Sequence, residues 1–256
     1  ALAAPTGAGK TAAATIAWLW KLQNDPANTP RRLIICEPMR TLVEQVYAEI
    51  KKWLRNLGLQ EQIKPYPLLG GYKDEGWELH PEQAAIIVGT QDQLLSRALN
   101  RGYAMSRFRW PIPYGLLNND TQWVFDEIQL MGPGLTTSAQ LHGLREKLKV
   151  NGNVGTLWMS ATLNPQRLGT IDHIVDNEEH KLQVHPFTKE DRANDMMSRR
   201  LHAHKPLSQI SIPFDKSYRP KLAKSIEDLH KPGRFTLVIV NTVERARELY
   251  KQLKKA

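Results

Sequence analysis

The 256-residue chain is 41% hydrophobic and 24% charged, with 16 Gly and 16 Pro. This composition excludes a disordered or fibrous protein and bounds the chain to one core, or one core and part of a second. It carries 35 Lys and Arg against 26 Asp and Glu, a net +9, and residues 189–256 alone hold a net +8. No apolar run approaches the ~18 residues of a membrane span, and the first residues lack a cleavage pattern, which leaves no membrane and no secretory signal in the reading. The single Cys36 cannot form an internal disulfide or a cysteine-ligated zinc module, so the expected compartment is cytoplasmic.

In chain order, an apolar stub leads into A-P-T-G-A-G-K-T (residues 4–11), and a helix is predicted over Lys10–Leu22. This is the phosphate-loop pattern with Ala4 in place of its first glycine. Gly7 and Gly9 let backbone N–H groups turn inward around phosphate oxygens, with Thr6 and Ala8 completing the turn. Lys10 is placed to reach the β- and γ-phosphates of ATP, and Thr11 to offer a hydroxyl to magnesium. A strand over Leu33–Cys36 then runs into P-M-R-T-L-V-E-Q and a helix over Thr41–Leu54. A strand over Ala85–Val88 precedes G-T-Q-D-Q-L and a helix over Asp92–Asn100. Between Asp92 and Asp120 there is no acid, whereas Arg97, Arg101, Arg107 and Arg109 alternate with Tyr103, Phe108, Trp110 and Tyr114. That mixture suits phosphate neutralisation and base stacking, and equally a solvated basic face over core aromatics.

The strand over Gln122–Phe125 delivers Asp126 and Glu127 at its carboxyl end, where open parallel sheets bind ligands. There Asp126 is placed to hold magnesium and Glu127 to polarise an attacking water, although such a pair can also cap a helix. A helix over Leu135–Leu148 and a strand over Gly155–Met159 lead to Ser160-Ala161-Thr162. Residues 176–220 are polar and basic and read as a connection with at most one strand. Beyond it a helix over Lys221–Leu229, a strand over Phe235–Val240 and a helix over Val243–Lys254 begin a second unit. The alternation predicts an α/β fold with a mostly parallel sheet. Both ends read as cut, as expected of a fragment of a longer protein.

In order, Ala4–Thr11, then Pro38, Arg40, Leu42 and Gln45, then Gly70-Gly71, Thr90, Asp126-Glu127-Ile128-Gln129 and Ser160-Ala161-Thr162 resemble the motifs of superfamily 2 helicases. L-V-I-V-N-T-V-E-R-A (237–246) is similar to the motif that opens their second RecA-like domain. More narrowly, residues 88–103 and 123–135 resemble the helicase-nuclease of type I CRISPR–Cas systems. The chain departs from that family in lacking any His-Asp dipeptide for the nuclease metal site.

The resemblance implies a RecA-like domain over 1–175, a linker over 176–220 and the truncated start of a second RecA-like domain over 221–256. It implies an ATP- and Mg2+-dependent motor on single-stranded DNA, working in antiviral defence with a CRISPR surveillance complex. Lys10, Asp126, Glu127 and Gln129 would carry hydrolysis, and Ser160, Ala161 and Thr162 would couple it to movement. Arg40, Gly70, Gly71 and Thr90, with the four arginines between 97 and 109, would touch the strand. The fragment alone would bind more than it turns over, because the arginine-bearing motif of the second domain is missing from the sequence. Two other readings compete: a restriction or repair translocase of the same superfamily, and a phosphate-loop kinase, which gives no reason for residues 38–45 or 160–162.

Overall fold

Arg32–Glu37, R-L-I-I-C-E, is buried at every position. Ile34 and Cys36 enter one core, and Leu33 and Ile35 enter another on the opposite face. A strand apolar on both faces requires helices on both, and its parallel neighbours require crossover connections. The computed structural model describes residues 1–71, 76–103, 105–175, 182–215 and 217–254, and the chain divides into two units, 1–201 and 202–256.

In the first unit the strands are β1 (Leu2–Ala3), β2 (Arg32–Glu37), β3 (Lys64–Leu68), β4 (Ala85–Thr90), β5 (Thr121–Phe125), β6 (Val154–Ser160) and β7 (His185–Pro186). Among the described residues they form a seven-stranded sheet in the order β3-β4-β2-β5-β6-β1-β7, parallel at every pair. Helices α1 (Lys10–Asn24) and α2 (Arg40–Asn56) cover one face through Trp18, Leu19, Val43, Ile50 and Leu54. The other face is covered by α3 (Gln91–Ala98), α4 (Pro111–Asn118) and α5 (Pro133–Leu148), through Leu94, Leu117, Leu135 and Ala139 among others. This is the expected α/β architecture, with the sheet parallel throughout.

Parallel strands all end on one edge, so the turns after β1, β2, β4, β5 and β6 gather there. Behind that edge Trp123 stacks on Phe125 with ring centroids 5.2 Å apart, and Trp158 lies 6.4 Å beyond. Rigid aromatic packing under β5 and β6 fixes the two strand ends that carry Asp126 and Ser160.

The stretch read as a connection holds β7 and two short helices, α6 (Lys189–Ala193) and α7 (Asp195–Leu201). Thr188 and Asp191 form a reciprocal capping box at the start of α6. In the second unit, α8 (Tyr218–Leu229) and α9 (Val243–Leu253) are joined by an Arg219–Glu248 ion pair at 2.8 Å. The strand expected over Phe235–Val240 is not formed: these residues have no ladder partner among the described residues, and Phe235, Leu237 and Ile239 are exposed. An apolar run becomes a strand only where a neighbour supplies its backbone hydrogen bonds.

Candidate functional site

The turn between β1 and α1 is held from below by Ala4, whose N–H donates to the Ser160 carbonyl at 3.1 Å. Gly7 and Gly9 adopt left-handed backbone conformations, φ 79° and 81°, that a Cβ would strain. Gly9 is the N-cap of α1, with no side-chain capping bond and no acid in the first turn. The first N–H groups of the helix therefore lack a side-chain acceptor at the N-cap and form the positive end of its dipole, a ready anion site. Lys10 is buried, with its ammonium 3.7 Å from Glu127 Oε1.

Motif residues from distant parts of the chain meet above this turn. The Thr11 hydroxyl donates to Asp126 Oδ2 in a very short hydrogen bond. The Asp126 backbone N–H donates to the Cys36 carbonyl, which ties β5 to the end of β2. Burial pushes the Asp126 carboxyl above its ordinary range, against the hydrogen bonds from Thr11 and the Glu127 N–H. A hydroxyl and a carboxylate presented together, with few other protein oxygens, fit a small hard cation that keeps much of its water.

Glu127 has φ 45° and ψ 46°, a left-handed conformation that costs a non-glycine residue on the order of 1 kcal/mol or more. The turn aims its carboxylate at Lys10 on one side and at Gln129 on the other. Gln129 Nε2 donates to Glu127 Oε2 at 2.5 Å, and its Oε1 accepts from the Ser160 hydroxyl at 2.7 Å. Ser160 Oγ in turn accepts from the Thr162 N–H at 3.0 Å. A continuous polar path thus runs from Lys10 through Glu127 and Gln129 to Ser160 and Thr162, with Ala161 exposed at the turn.

Two residues at this edge escape a sequence reading. Arg200, on α7, donates to the Gly7 carbonyl from outside the phosphate turn. Glu37 ends β2, opposite Thr90 of β4, and is 1% exposed. Burial first, then the nearby Asp126 and Glu127 carboxylates, pushes its carboxyl up to about 8, with Lys10 opposing. In the sequence it looks like the first polar residue after a strand. Only its place before Pro38, where a strand end must face the ligand edge, carries a signal.

The nucleic-acid residues expected from sequence fall into two groups. Arg40 Nη1 lies 3.5 Å from the Gly70 carbonyl, and Gly71 has φ 83°, so Arg40 and the glycine pair adjoin. Thr90 sits at the end of β4, half-buried beside Glu37. Among the four arginines only Arg101, Arg107 and Arg109 are exposed. Arg97 is not the surface cation expected: it is buried on α3, and its Nη1 donates to the Gln93 carbonyl at 2.9 Å and to Gln93 Oε1 at 2.6 Å. Arg109 is tied to the buried Glu78 at 2.8 Å.

A family model, DEAD/DEAH box helicase, matches residues 1–171. The chain belongs to the DEAD/DEAH box helicases. The anion turn, the Asp126-Glu127 pair and the Ser160–Thr162 turn all lie within the residues that this model matches. The fold of the chain is similar to that of the DUF1998 helicase MrfA, at a TM-score of 0.61 and 16% identity over 99% of this chain and 35% of that one. Against MrfA bound to DNA and AMPPNP the TM-score is 0.52, at 17% identity over 72% of this chain and 24% of that one. The DEAD-box helicase Mss116 bound to ssRNA and UDP-BeF gives a TM-score of 0.47 at 24% identity, over 72% of this chain and 35% of that one. The helicase chain thus spans about a quarter to a third of the length of these structures. A comparison with curated proteins gave no match.

Proposed function

We propose that residues 1–175 are the ATP-binding half of a motor that couples ATP hydrolysis to movement on single-stranded DNA, joined through residues 176–220 to the start of a second RecA-like domain. The observation that carries this reading is the path Lys10–Glu127–Gln129–Ser160 beside the Thr11–Asp126 pair. A site that only held a nucleotide would not need a carboxylate wired to a second strand end.

Lys10 and the N–H groups of the turn bind the β- and γ-phosphates of ATP. Thr11 and Asp126 hold Mg2+, which supplies charge neutralisation at those phosphates when bound. Glu127, fixed by Gln129, orients the attacking water and accepts its proton. Ser160 reports that change to Thr162 by gaining or losing Gln129. Arg40, Gly70, Gly71 and Thr90 meet the sugar-phosphate backbone, which makes the grip independent of sequence. The DNA assignment draws on MrfA, whose structure was solved bound to DNA and AMPPNP.

The sequence similarity of residues 88–103 and 123–135 to the type I CRISPR helicase-nuclease supports a role in antiviral defence, alongside a CRISPR surveillance complex. The test has two parts. Glu127→Gln should retain nucleotide affinity while abolishing DNA-stimulated phosphate release by the full-length protein. Pull-down of the full-length protein on DNA carrying an assembled CRISPR surveillance complex should exceed that on bare DNA. Equal capture would place the motor in another branch of superfamily 2.

A further inference from the structure

A buried carboxylate oxygen without a hydrogen-bond donor is costly and calls for a physical reason. Glu37 Oε1 is such an atom: it is fully buried and has no hydrogen-bond partner among the described residues. Its surroundings say where it faces. Glu37 pairs in register with Thr90 on one side, and on the other it follows Cys36, whose carbonyl accepts from the Asp126 N–H. The charged groups that act on its carboxyl are Asp126, Glu127 and Lys10. One ammonium thus faces three carboxyl groups around this atom.

No three His, Cys, Asp or Glu among the described residues form a cage that would ligate a metal directly. Thr11 and Asp126 supply only two protein oxygens. A small divalent cation held there keeps several waters, and those waters need acceptors behind them.

We infer that Glu37 is a positioning residue whose unpartnered oxygen accepts a hydrogen bond from a water on the divalent cation held by Thr11 and Asp126. This rests on the reading of the phosphate turn as a magnesium–nucleotide site. Glu37 does not touch the nucleotide; it fixes the orientation of the hydrated cation from the floor of the sheet.

The test is a calorimetric titration of ADP into the protein, once in excess Mg2+ and once in EDTA. For the wild type, Mg2+ should tighten binding. Glu37→Gln preserves shape and replaces a carboxyl that the cation can draw into its ionised form by a weaker, neutral acceptor, and it should cut that magnesium-dependent gain about tenfold. Its affinity in EDTA should stay within about twofold, as expected of a group acting through the cation alone. Glu37→Met, of similar length and without an acceptor, should do the same and guards against a folding defect peculiar to one variant. Glu37→Asp keeps the charge one methylene short of the water, so it should leave most of the loss in place. Full recovery in Glu37→Asp would show that bulk charge suffices and would overturn the water contact. A magnesium gain unchanged in Glu37→Gln and Glu37→Met would overturn the inference and leave the site reading intact. A wild type whose ADP affinity ignores Mg2+ would overturn both.

Discussion

At the scale of single residues, Lys10 has the largest expected effect. Its ammonium is buried and faces Glu127, with Glu37 and Asp126 close by. Lys10→Ala removes that ammonium, which the proposed function sets against the phosphates. Truncating one partner of a buried charged contact typically costs about 2–5 kcal/mol, so nucleotide affinity should fall by roughly 30-fold or more. Calorimetry giving equal affinities for wild type and Lys10→Ala would remove the phosphate turn from the site. The residue types of this cluster were legible because Gly7, Gly9, Lys10, Thr11, Asp126 and Glu127 carry chemistry in their spacing. Arg97 was not, since composition alone cannot say which way a helix faces. The spacing of Gln93 and Arg97, one helical turn apart, was the available clue that they pair.

Between elements, two contacts decide how the ligand edge is held to the rest of the fold. Ser160, at the end of β6, donates to Gln129 beyond β5 and accepts from Thr162. Ser160→Ala should cost about 0.5–1.5 kcal/mol in denaturant unfolding, the net worth of a typical hydrogen bond, because Gln129 is half-buried and Thr162 exposed and water can replace the lost partner. Behind the edge, α5 rests His142 on Trp158 at 5.3 Å, edge to face, with His173 5.0 Å away. Burial, then His173 and Arg145, lowers the His142 pKa to about 4, while Glu146 lies 3.4 Å from its other nitrogen. An unfolded histidine takes a proton near pH 6.5, so the unfolded chain binds more protons than the native one between pH 6.5 and 4. Stability from this group is complete above about pH 6.5 and is lost as the pH falls toward 4, by up to about 3 kcal/mol. His142→Gln should flatten that limb in urea melts at pH 7 and pH 4.5; parallel curves for the two proteins would contradict it. The same scale explains which elements were readable. β2, β4, β5 and β6 are continuous apolar runs that the sheet pairs on both sides. β3, K-P-Y-P-L, carries two prolines, and the fold tolerates them because β3 is an edge strand paired only with β4. α4 opens on Pro111 and contains Gly115, which hides a helix in sequence although proline suits its first turn. Phe235–Val240 has the strand pattern without a partner, and pattern alone does not supply one.

Over the whole molecule the charge is uneven, and the acid-free segment between Asp92 and Asp120 lies within residues 1–188, whose net charge is only +1. Folding sorts its arginines. Arg97 and Arg109 are bonded to Gln93 and Glu78, while Arg101 and Arg107 are exposed, next to an almost fully exposed Phe108. Each cation that neutralises a phosphate of single-stranded DNA contributes roughly 0.7 to the slope of log K against log salt. Arg101→Gln with Arg107→Gln should therefore flatten that slope by roughly one unit or more and weaken binding alike for unrelated sequences. ADP affinity should not change, since the proposed nucleotide site is built from other residues. Arg97→Gln provides the contrast: it should lower stability, by breaking a buried pair, with the salt slope intact. Fluorescence anisotropy on two unrelated oligonucleotides across a salt series reads all three variants. If the double variant keeps both affinity and slope, the exposed arginines serve a solvated face. Residues 189–256, where the excess of +8 lies, then become the candidate for the proposed DNA contact.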